Sequence, residues 1–214
     1  MKTRAAKAIV QALVDEGVRY TFGIPGTHNI ELYDALAKTD RCEPVLVTSE
    51  VAGAFLAEGY SRSSDSVGVI NVVPGAGVTY SLSGIAEAWM DNTPMVVLAS
   101  GIRSDTSAAY QLHAIDQLAV LEPVTKAVFR VERADDLYPV IRRAFQIARR
   151  GAPGPVAVEI PAQLFINRQE LGDFRFEADP EIGVEPDPEL VERAAIMLSE
   201  ADHPALYLGM GAAG

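Results

Sequence analysis

Hydrophobic and polar positions repeat with two different periods along the chain, so helices and strands are predicted in alternation. Residues 3–16 carry apolar side chains at helical spacing, whereas residues 68–73 are apolar on both faces, as a central parallel strand is. The pattern predicts an α/β fold, an open and mainly parallel sheet with helices on both faces. The predicted strands are 19–22, 44–47, 68–73, 94–99, 123–131 and 155–160, and the helices are 3–16, 29–37, one that begins near residue 50, one that ends near residue 90, and 135–149.

The stretch 47–62 organises the rest of the prediction. Thr48 or Ser49 is placed to cap a helix, and Glu50 falls in its first turn. The residues that come after it are apolar on nearly every side of that helix, so we expect the helix to be buried and to carry Glu50 inward. A buried carboxylate is costly without a partner. Glu50 is therefore predicted to have either a local partner or a functional role.

The chain changes character after residue 169, because acidic side chains and prolines replace the apolar runs across residues 170–188. We interpret 1–169 as one domain, 170–187 as a linker, and 188–214 as the start of a second, Rossmann-like domain. This second part is predicted to form a helix at 188–201 and a strand at 205–208. Because the sequence stops soon after that strand, we expect the chain to be the front part of a longer polypeptide.

Composition limits the classes of function. The 214 residues carry a net charge of −11, from 18 basic and 29 acidic side chains, which argues against nucleic acid or an anionic membrane as partner. Cys42 is the only cysteine, so the sequence has no disulfide framework and no cysteine-based metal site. The N-terminal residues lack the apolar core of a signal peptide, and no apolar run has the length of a membrane span. A cytoplasmic enzyme or binding domain is the expectation.

Four segments, taken in order, resemble one family of enzymes. Their order and spacing across residues 3–166 resemble the pyrimidine-binding domain of thiamine-diphosphate enzymes of the acetolactate synthase, pyruvate decarboxylase and benzoylformate decarboxylase type. The tail from residue 188 resembles the start of that family's central domain. The segments are 22–26 (Phe-Gly-Ile-Pro-Gly) with 31–36, Glu50 with 57–62 (Ala-Glu-Gly-Tyr-Ser-Arg), 73–77 (Val-Pro-Gly-Ala-Gly) with 84–94, and 154–161 (Gly-Pro-Val-Ala-Val-Glu-Ile-Pro).

The resemblance implies a role for Glu50. In the family, a glutamate at this place hydrogen-bonds N1′ of the cofactor aminopyrimidine, and the shared proton favours the imino tautomer that takes the proton from thiazolium C2. Such chemistry needs a carboxylate in a dry pocket. The resemblance also implies that Pro25-Gly26 and Pro74-Gly75 let the backbone approach the cofactor closely, which glycine permits. Simple strand-to-helix turns are the alternative for both.

Substrate contacts are expected from two loops. Tyr110 and Gln111 stand where many relatives have an aromatic-Gln pair near the active site. His28 and His113 lie in candidate loops and are predicted to bind a 2-oxo acid or to move protons. An incidental loop position is the alternative for each histidine.

Some positions depart from the family pattern and leave the particular substrate open. Relatives commonly carry His before and Gln after the glutamate, where this chain has Ser49 and Val51. Residues 78–80 (Val-Thr-Tyr) stand where many relatives place an Asn that helps to hold the cofactor pocket. Glu58 is the competing acid of the same helix, and its spacing predicts a structural i,i+4 surface pair with Arg62.

The resemblance places Mg2+ and the cofactor diphosphate in a further domain. The family binds them through a Gly-Asp-Gly motif, and residues 172–174 (Gly-Asp-Phe) lack the second glycine. No metal ligand is therefore assigned in this chain. We expect the chain alone to bind thiamine diphosphate weakly and to be inactive. Since the family's active site forms between subunits, a homodimer or homotetramer is expected.

Residues 209–214 match the G-x-G-x-x-G dinucleotide fingerprint after a predicted strand. Some relatives hold FAD or an adenine nucleotide in the central domain. A tight turn in a Rossmann-like domain is the favoured interpretation here, with FAD as the alternative.

We predict a thiamine-diphosphate-dependent 2-oxo acid carboligase similar to acetolactate synthase, in which Glu50 activates the cofactor. A 2-oxo acid decarboxylase of the same family is the nearest alternative. Three others stay open: a complete subunit that pairs with a separate diphosphate-binding subunit, a non-catalytic assembly or regulatory domain, and a nucleotide-binding dehydrogenase.

Overall fold

Strands and helices alternate along the chain in the computed structural model, which describes residues 3–107, 111–169, 171–180, 183 and 185–212. The chain divides into two units, Met1–Glu177 and Ala178–Gly214. The first unit therefore includes the opening residues of the segment interpreted as a linker. Each unit is described by itself.

The first unit contains eight described strands and seven described α-helices. Two short 3-10 turns, Glu122–Val124 and Ala134–Asp136, lie in the second half of this unit. The second unit contains helix α8 (Pro188–Glu200) and a 3-10 turn at Met210–Ala212. Among the described residues, no helix has both the length and the apolar composition that crossing a membrane requires. The strands are β1 Thr3–Arg4, β2 Tyr20–Gly23, β3 Glu43–Leu46, β4 Gly68–Val72, β5 Met95–Gly101, β6 Ala127–Arg130, β7 Pro155–Pro161 and β8 Arg168–Gln169, and the helices are α1 Ala6–Asp15, α2 Ile30–Leu36, α3 Glu50–Arg62, α4 Ala76–Met90, α5 Gln117–Leu121, α6 Leu137–Arg149 and α7 Ala162–Ile166.

Six strands form one parallel sheet in the spatial order β3-β2-β4-β5-β7-β6. Strands β1 and β8 form a separate antiparallel pair. Every residue of β4, β5 and β7 is buried, whereas the edge strands β3 and β6 contain no fully buried residue. Central strands covered on both faces carry continuous apolar sequences, which is why these segments do not alternate.

Helices cover both faces of the sheet and create two cores. Along β5, Val96 and Leu98 pack with α1, α2, α6 and α7, whereas Val97 and Ala99 pack with α3, α4 and α5. This division results from the alternation of side chains along a strand. The predicted α/β fold with an open parallel sheet and helices on both faces is confirmed.

The structure corrects two predicted strands. The segment 123–131 begins as a 3-10 turn with Pro123 in its first positions, and only β6 is extended. The predicted strand 205–208 is not formed, because a strand needs a hydrogen-bonded neighbour and none of the described strands pairs with it. Tyr207 is fully exposed there. Helix α8 matches its predicted position but buries none of its residues.

The segment after β8 packs on α1 and α6. The ring of Phe174 stacks on Tyr138, with the centroids 5.1 Å apart, and the Arg142 guanidinium lies 5.4 Å from the centroid of Phe176. Tyr138 in turn donates a hydrogen bond to Asp15 at 2.7 Å. These contacts explain why this segment belongs to the first unit.

Helices α3 and α4 approach each other closely at a glycine. A Cβ added to Gly84 would lie 2.6 Å from the Cβ of Ala54 and 2.8 Å from the backbone of α3. On the sheet side, a Cβ on Gly68 would lie 2.1 Å from the carbonyl oxygen of Ala57. Helix α3 is thus held between α4 and β4, and because it comes after β3 its first residues lie at the carboxyl edge of the sheet.

Replacing Gly84 by Ala is expected to destabilise the first unit, because the new methyl group would overlap Ala54 across the helix crossing. Overpacking of this kind costs about 1–3 kcal/mol in the free energy of unfolding. Gly59→Ala is the matched control, since a Cβ on Gly59, also helical, would meet nothing within 4 Å. There alanine is expected to stabilise by about 0.5–1 kcal/mol. Urea unfolding checks both variants, and equal stability of the two would contradict the close approach.

Candidate functional site

Most of the residues predicted to form a site meet at the carboxyl edge of the sheet. Strand β4 pairs with both β2 and β5, so the turns after β2 and β4 lie side by side. A Cβ on Gly26, after β2, would lie only 2.7 Å from Cγ1 of Val73, after β4. This edge is where ligands bind in open parallel sheets.

Asn29 shapes the turn that carries Pro25 and Gly26. Its Oδ1 accepts a hydrogen bond from the Gly26 backbone N–H at 2.7 Å, and its Nδ2 donates to the carbonyl oxygen of Ile24 at 3.2 Å. The residue is fully buried. Sequence reasoning missed Asn29, although an asparagine in a Gly- and Pro-containing turn is the signal of such a side-chain bond. Asn29 thereby fixes the backbone beside His28.

Glu50 is the first residue of α3, as predicted. Ser49 precedes it as N-cap in an extended conformation, but its side chain makes no capping hydrogen bond. The carboxylate lies against the start of α4, since a Cβ on Gly77 would be 3.5 Å from Glu50 Oε1 and 2.8 Å from Val73 Cγ2. The absence of a side chain at Gly77 therefore leaves the space that the Glu50 carboxylate borders.

The predicted burial of α3 is wrong on one side of the helix. Phe55 and Leu56 are 43% and 47% exposed, and Glu50 is half-buried rather than enclosed. The reason is that α4 and β4 cover only one side of α3. The buried residues of α3 are Gly53, Ala54, Ala57, Glu58 and Ser61.

The Pro74-Gly75 turn is buried and tightly packed. Gly75 has φ +66°, a backbone conformation that residues with a side chain rarely adopt. A Cβ there would also lie 2.9 Å from the carbonyl oxygen of His113. The Gly75 N–H donates to Oε1 of Gln117 at 3.4 Å. Glycine at this position thus serves both the turn and the close passage of the 111–113 loop.

His28 and His113 come from different loops and meet in the site. Their ring centroids are 5.8 Å apart, with the planes nearly perpendicular at 86°. His113 itself has φ +68°. Burial and the neighbouring charge of His113 both lower the pKa of His28. A positive charge on His28 is therefore less favourable here than in water, because two charged imidazoles this close repel each other.

Of the other two predicted substrate residues, Gln111 is among the described residues and Tyr110 is not. Gln111 is half-buried, and its Nε2 donates to the carbonyl oxygen of Arg103 at 3.0 Å. Tyr110 lies outside the described residues. The structure therefore brings together Glu50, both glycine turns and both histidines, while the Gln111 amide bonds its own loop.

A polar cluster that sequence reasoning missed lies beside Glu50. Asn71, on β4 and 1% exposed, donates to Thr21 Oγ1 at 3.0 Å. The hydroxyl of Tyr33 would be 2.6 Å from a Cβ on Gly23, which ends β2. Burial raises the pKa of Tyr33 to about 12, nearby Asn71 opposes this, and the charge of Glu50 raises it further. Tyr33 is thus a neutral phenol within electrostatic range of the Glu50 carboxylate.

Glu58 pairs with Arg62 as predicted, but only Arg62 lies at the surface, because Glu58 is buried. Arg62 Nη1 lies 2.9 Å from Glu58 Oε1 and 2.6 Å from Oδ2 of Asp91. Glu58 is buried at 7% exposure, so its carboxylate is balanced by Arg62 at the end of the helix. Glu58 therefore has a structural partner, whereas within the described chain no hydrogen bond or ion pair joins the Glu50 carboxylate.

Comparisons with known proteins match this chain over half of its length or more. The family model of the thiamine pyrophosphate enzyme N-terminal TPP binding domain matches residues 3–120. The acetolactate synthase large subunit of Haemophilus influenzae is 39% identical over 160 residues, which cover 75% of this chain and 28% of that protein. The acetolactate synthase isozyme 3 large subunit of Escherichia coli K12 is 33% identical over 211 residues, covering 97% of this chain and 37% of that protein. The probable acetolactate synthase large subunit of Methanocaldococcus jannaschii is 30% identical over 213 residues, covering 97% and 36%.

His113→Asn is expected to raise the pKa of His28 towards its ordinary value, because the variant removes the neighbouring positive charge while burial persists. The chain has three histidines, so NMR titration of the imidazole signals resolves His28 directly. His203, in the second unit, is the internal control and is expected to titrate unchanged. An unaltered His28 titration in the variant would contradict the electrostatic coupling.

The lowered pKa of His28 also gives stability a pH dependence. Because that pKa is lower in the folded chain than the unfolded value of about 6.5, the folded state binds the proton less well. The stabilising effect of a neutral His28 is thus present above the unfolded value and is lost as the pH falls through the folded pKa. We expect His28→Asn to flatten this part of the pH profile in chemical unfolding.

Proposed function

This chain belongs to the thiamine pyrophosphate enzymes, by its match to their N-terminal TPP binding domain, and we propose that it supplies the pyrimidine-binding half of an active site for a 2-oxo acid. The chain spans only 28% to 37% of the length of the three relatives compared above. The activity, the substrate and the assembly of the whole protein are therefore proposals.

One observation carries this proposal: the Glu50 carboxylate borders the Gly77 space at the carboxyl edge of the sheet. A half-buried carboxylate without a protein partner in the described chain is available to a ligand, whereas Glu58 in the same helix is already balanced by Arg62. The neighbouring phenol of Tyr33 is neutral and does not compete as an anion. Glu50 is thus the acid of this helix that can share a proton with a bound heterocycle.

The residues present fit the aminopyrimidine of thiamine diphosphate (thiamine pyrophosphate). Gly26 and Gly75 keep the two turns free of side chains. A larger residue at Gly26 would overlap Val73, and one at Gly75 would overlap the His113 backbone. Pro25, Gly26, Pro74 and Gly75 would line the ring, and Glu50 would hold its N1′ position. When bound, the cofactor supplies the carbon nucleophile that attacks the carbonyl group of a 2-oxo acid.

The reaction that we propose first is carboligation of the acetolactate synthase type, because all three relatives compared carry that name. His28 and His113 would bind the substrate or exchange protons with it, which their shared location supports. Decarboxylation of a 2-oxo acid by the same site is the second candidate. The histidine pair favours it, since two imidazoles at the same site could supply the proton that an aldehyde product carries on its carbonyl carbon.

Mg2+ and the diphosphate would bind to a further domain of the functional protein. Among the described residues, no group of three His, Cys, Asp or Glu side chains is placed to hold a metal ion. The chain alone would therefore bind the cofactor weakly and be inactive. FAD is not part of the proposal. A cytoplasmic setting is part of it, because Cys42 is a free, buried cysteine and the cytoplasm keeps thiols reduced.

A homodimer or homotetramer is proposed as the working assembly. Helices α3 and α4 expose large apolar side chains, which in a monomer would face water. Helix α3 carries Glu50 on this same side of the sheet, so an assembly through these helices would form next to the site. The exposed residues are Phe55 (43%), Leu56 (47%), Tyr80 (61%), Trp89 (41%) and Met90 (66%).

Glu50→Gln is expected to lower turnover of pyruvate by roughly two or more orders of magnitude, as the loss of a proton-transfer group does. The assay uses the protein that carries this chain together with a diphosphate-binding domain, with thiamine diphosphate and Mg2+ added. Glu58→Gln is the matched control, because it neutralises the other acid of α3 without touching the proposed site. Chromatographic separation of acetolactate from acetaldehyde distinguishes carboligation from decarboxylation.

An active parent with an equally active Glu50→Gln variant would show that Glu50 is structural and that the site assignment is wrong. A parent that turns over none of a series of 2-oxo acids would favour a non-catalytic assembly domain. Circular dichroism of both variants guards against loss of fold as the cause of any loss of activity.

Leu56→Arg is expected to dissociate the assembly, because a charge buried in an apolar interface is costly to desolvate. Ile166→Arg is the control, since Ile166 is similarly exposed at 41% but lies on α7, which packs on the opposite face of the sheet. Sedimentation velocity of the cofactor-loaded protein measures the change. An unchanged sedimentation coefficient for Leu56→Arg would argue against this interface.

A further inference from the structure

The amide of Gln117 joins two strand ends at the candidate site. Its Oε1 accepts a hydrogen bond from the Gly75 N–H at 3.4 Å, and its Nε2 donates to the carbonyl oxygen of Ser100 at 3.0 Å. Gln117 is 3% exposed and begins α5, which Asp116 caps by accepting a bond from the Ala119 N–H at 3.2 Å. One buried side chain therefore connects the turn after β4 with the end of β5.

A buried carboxylate also faces this amide. Glu159, on β7, is 5% exposed, and its Oε1 lies 3.8 Å from Nη1 of Arg130. Burial raises the pKa of Glu159, the charge of Arg130 and a hydrogen bond with Gln117 lower it, and the charges of Asp116 and Glu132 raise it. Glu159 is thus a buried acid on the β7 side of Gln117.

The partners of Gln117 determine which chemical group this position requires. Gly75 offers a donor and Ser100 an acceptor, so the side chain between them must accept and donate at the same time. A primary amide does both, a carboxylate only accepts, and a thioether does neither effectively. The Gly75 contact is long for a hydrogen bond, but the turn is also confined by the His113 backbone, 2.9 Å from where a Cβ on Gly75 would be.

We infer that Gln117 is a positioning residue that fixes the Pro74-Gly75 turn in the form that receives the cofactor. The inference rests on the proposed function, which assigns this turn to the aminopyrimidine. Gln117 touches the turn and not the reacting atoms. Its loss is therefore expected to weaken cofactor binding while leaving the chemistry of the fully loaded site largely intact.

Gln117→Met tests, in this chain and without any cofactor, whether the Gln117 side chain holds the Pro74-Gly75 turn. Hydrogen exchange measured by NMR is expected to speed up roughly tenfold at the Gly75 amide, the size expected for one lost hydrogen bond. Gln163→Met is the matched control, because Gln163 is also buried, at 6% exposure, and accepts a bond from the Ser104 N–H at 3.0 Å. That control is expected to leave Gly75 exchange unchanged.

The effect on cofactor binding is measured in the protein that carries the diphosphate-binding domain. The affinity for thiamine diphosphate, from fluorescence titration, is expected to fall roughly tenfold in Gln117→Met. At saturating cofactor, kcat is expected to stay close to that of the parent. This division between cofactor affinity and kcat is one that general destabilisation does not produce.

Gln117→Leu serves as the second variant in case Gln117→Met does not fold. Leucine lacks both the acceptor for Gly75 and the donor to Ser100, so Gly75 exchange is expected to speed up by a similar factor. Exchange at the parent rate in a folded Gln117→Leu variant would overturn the assignment of the Gly75 bond.

The outcomes separate the inference from the proposed function. Unchanged Gly75 exchange in Gln117→Met overturns the inference and leaves the proposed cofactor site untouched. Faster exchange with unaltered cofactor affinity also overturns it, and in addition counts against the assignment of Pro74-Gly75 to the cofactor. Faster exchange together with weaker binding supports both.

Discussion

The close contact of α3 with α4 is the interaction on which the site depends. Gly84 lets the two helices approach through Ala54, and Gly68 lets α3 approach β4 at Ala57. Contacts of this kind leave little freedom, because packed interiors do not deform continuously. The N-terminal end of α3 is therefore set beside Gly77, and the Glu50 carboxylate is positioned by packing far along the helix rather than by a capping bond of its own.

Charge compensation separates the acids of this unit into two kinds. Glu58 is buried and forms an ion pair with Arg62. Glu159 is also buried, and the charge of Arg130 and the amide of Gln117 stabilise its ionised form. Glu50 is less buried and has no such partner in the described chain. A carboxylate without a charged partner at a ligand-binding edge is what the proposed role of Glu50 requires.

Local pattern predicts most of the elements and the place of Glu50 at the start of a helix, but it fails where topology decides. The strand order could not be read from periodicity, yet β4 lying between β2 and β5 is what brings His28 to His113. Gln117 and Tyr33 were not predictable, since the residues near their polar groups lie on strands and a turn that are distant in sequence. The burial of α3 was predicted wrongly, because an apolar helix can be covered on every side. Composition does not show which of those sides are covered by the same chain and which are left exposed.

The exposed side of α3 connects assembly with chemistry. A carboxylate shares a proton with a bound heterocycle most effectively where water is excluded, because a low local dielectric strengthens such a hydrogen bond. Glu50 is only half-buried within this chain, and the uncovered apolar residues Phe55 and Leu56 come after it in the same helix. Covering that side in the proposed assembly would remove water from the first turn as well as from the apolar surface. The hydrophobic gain of association and the dry environment that Glu50 needs would then come from the same contact, so an isolated chain could have every residue of its half-site in place and still lack the conditions for catalysis.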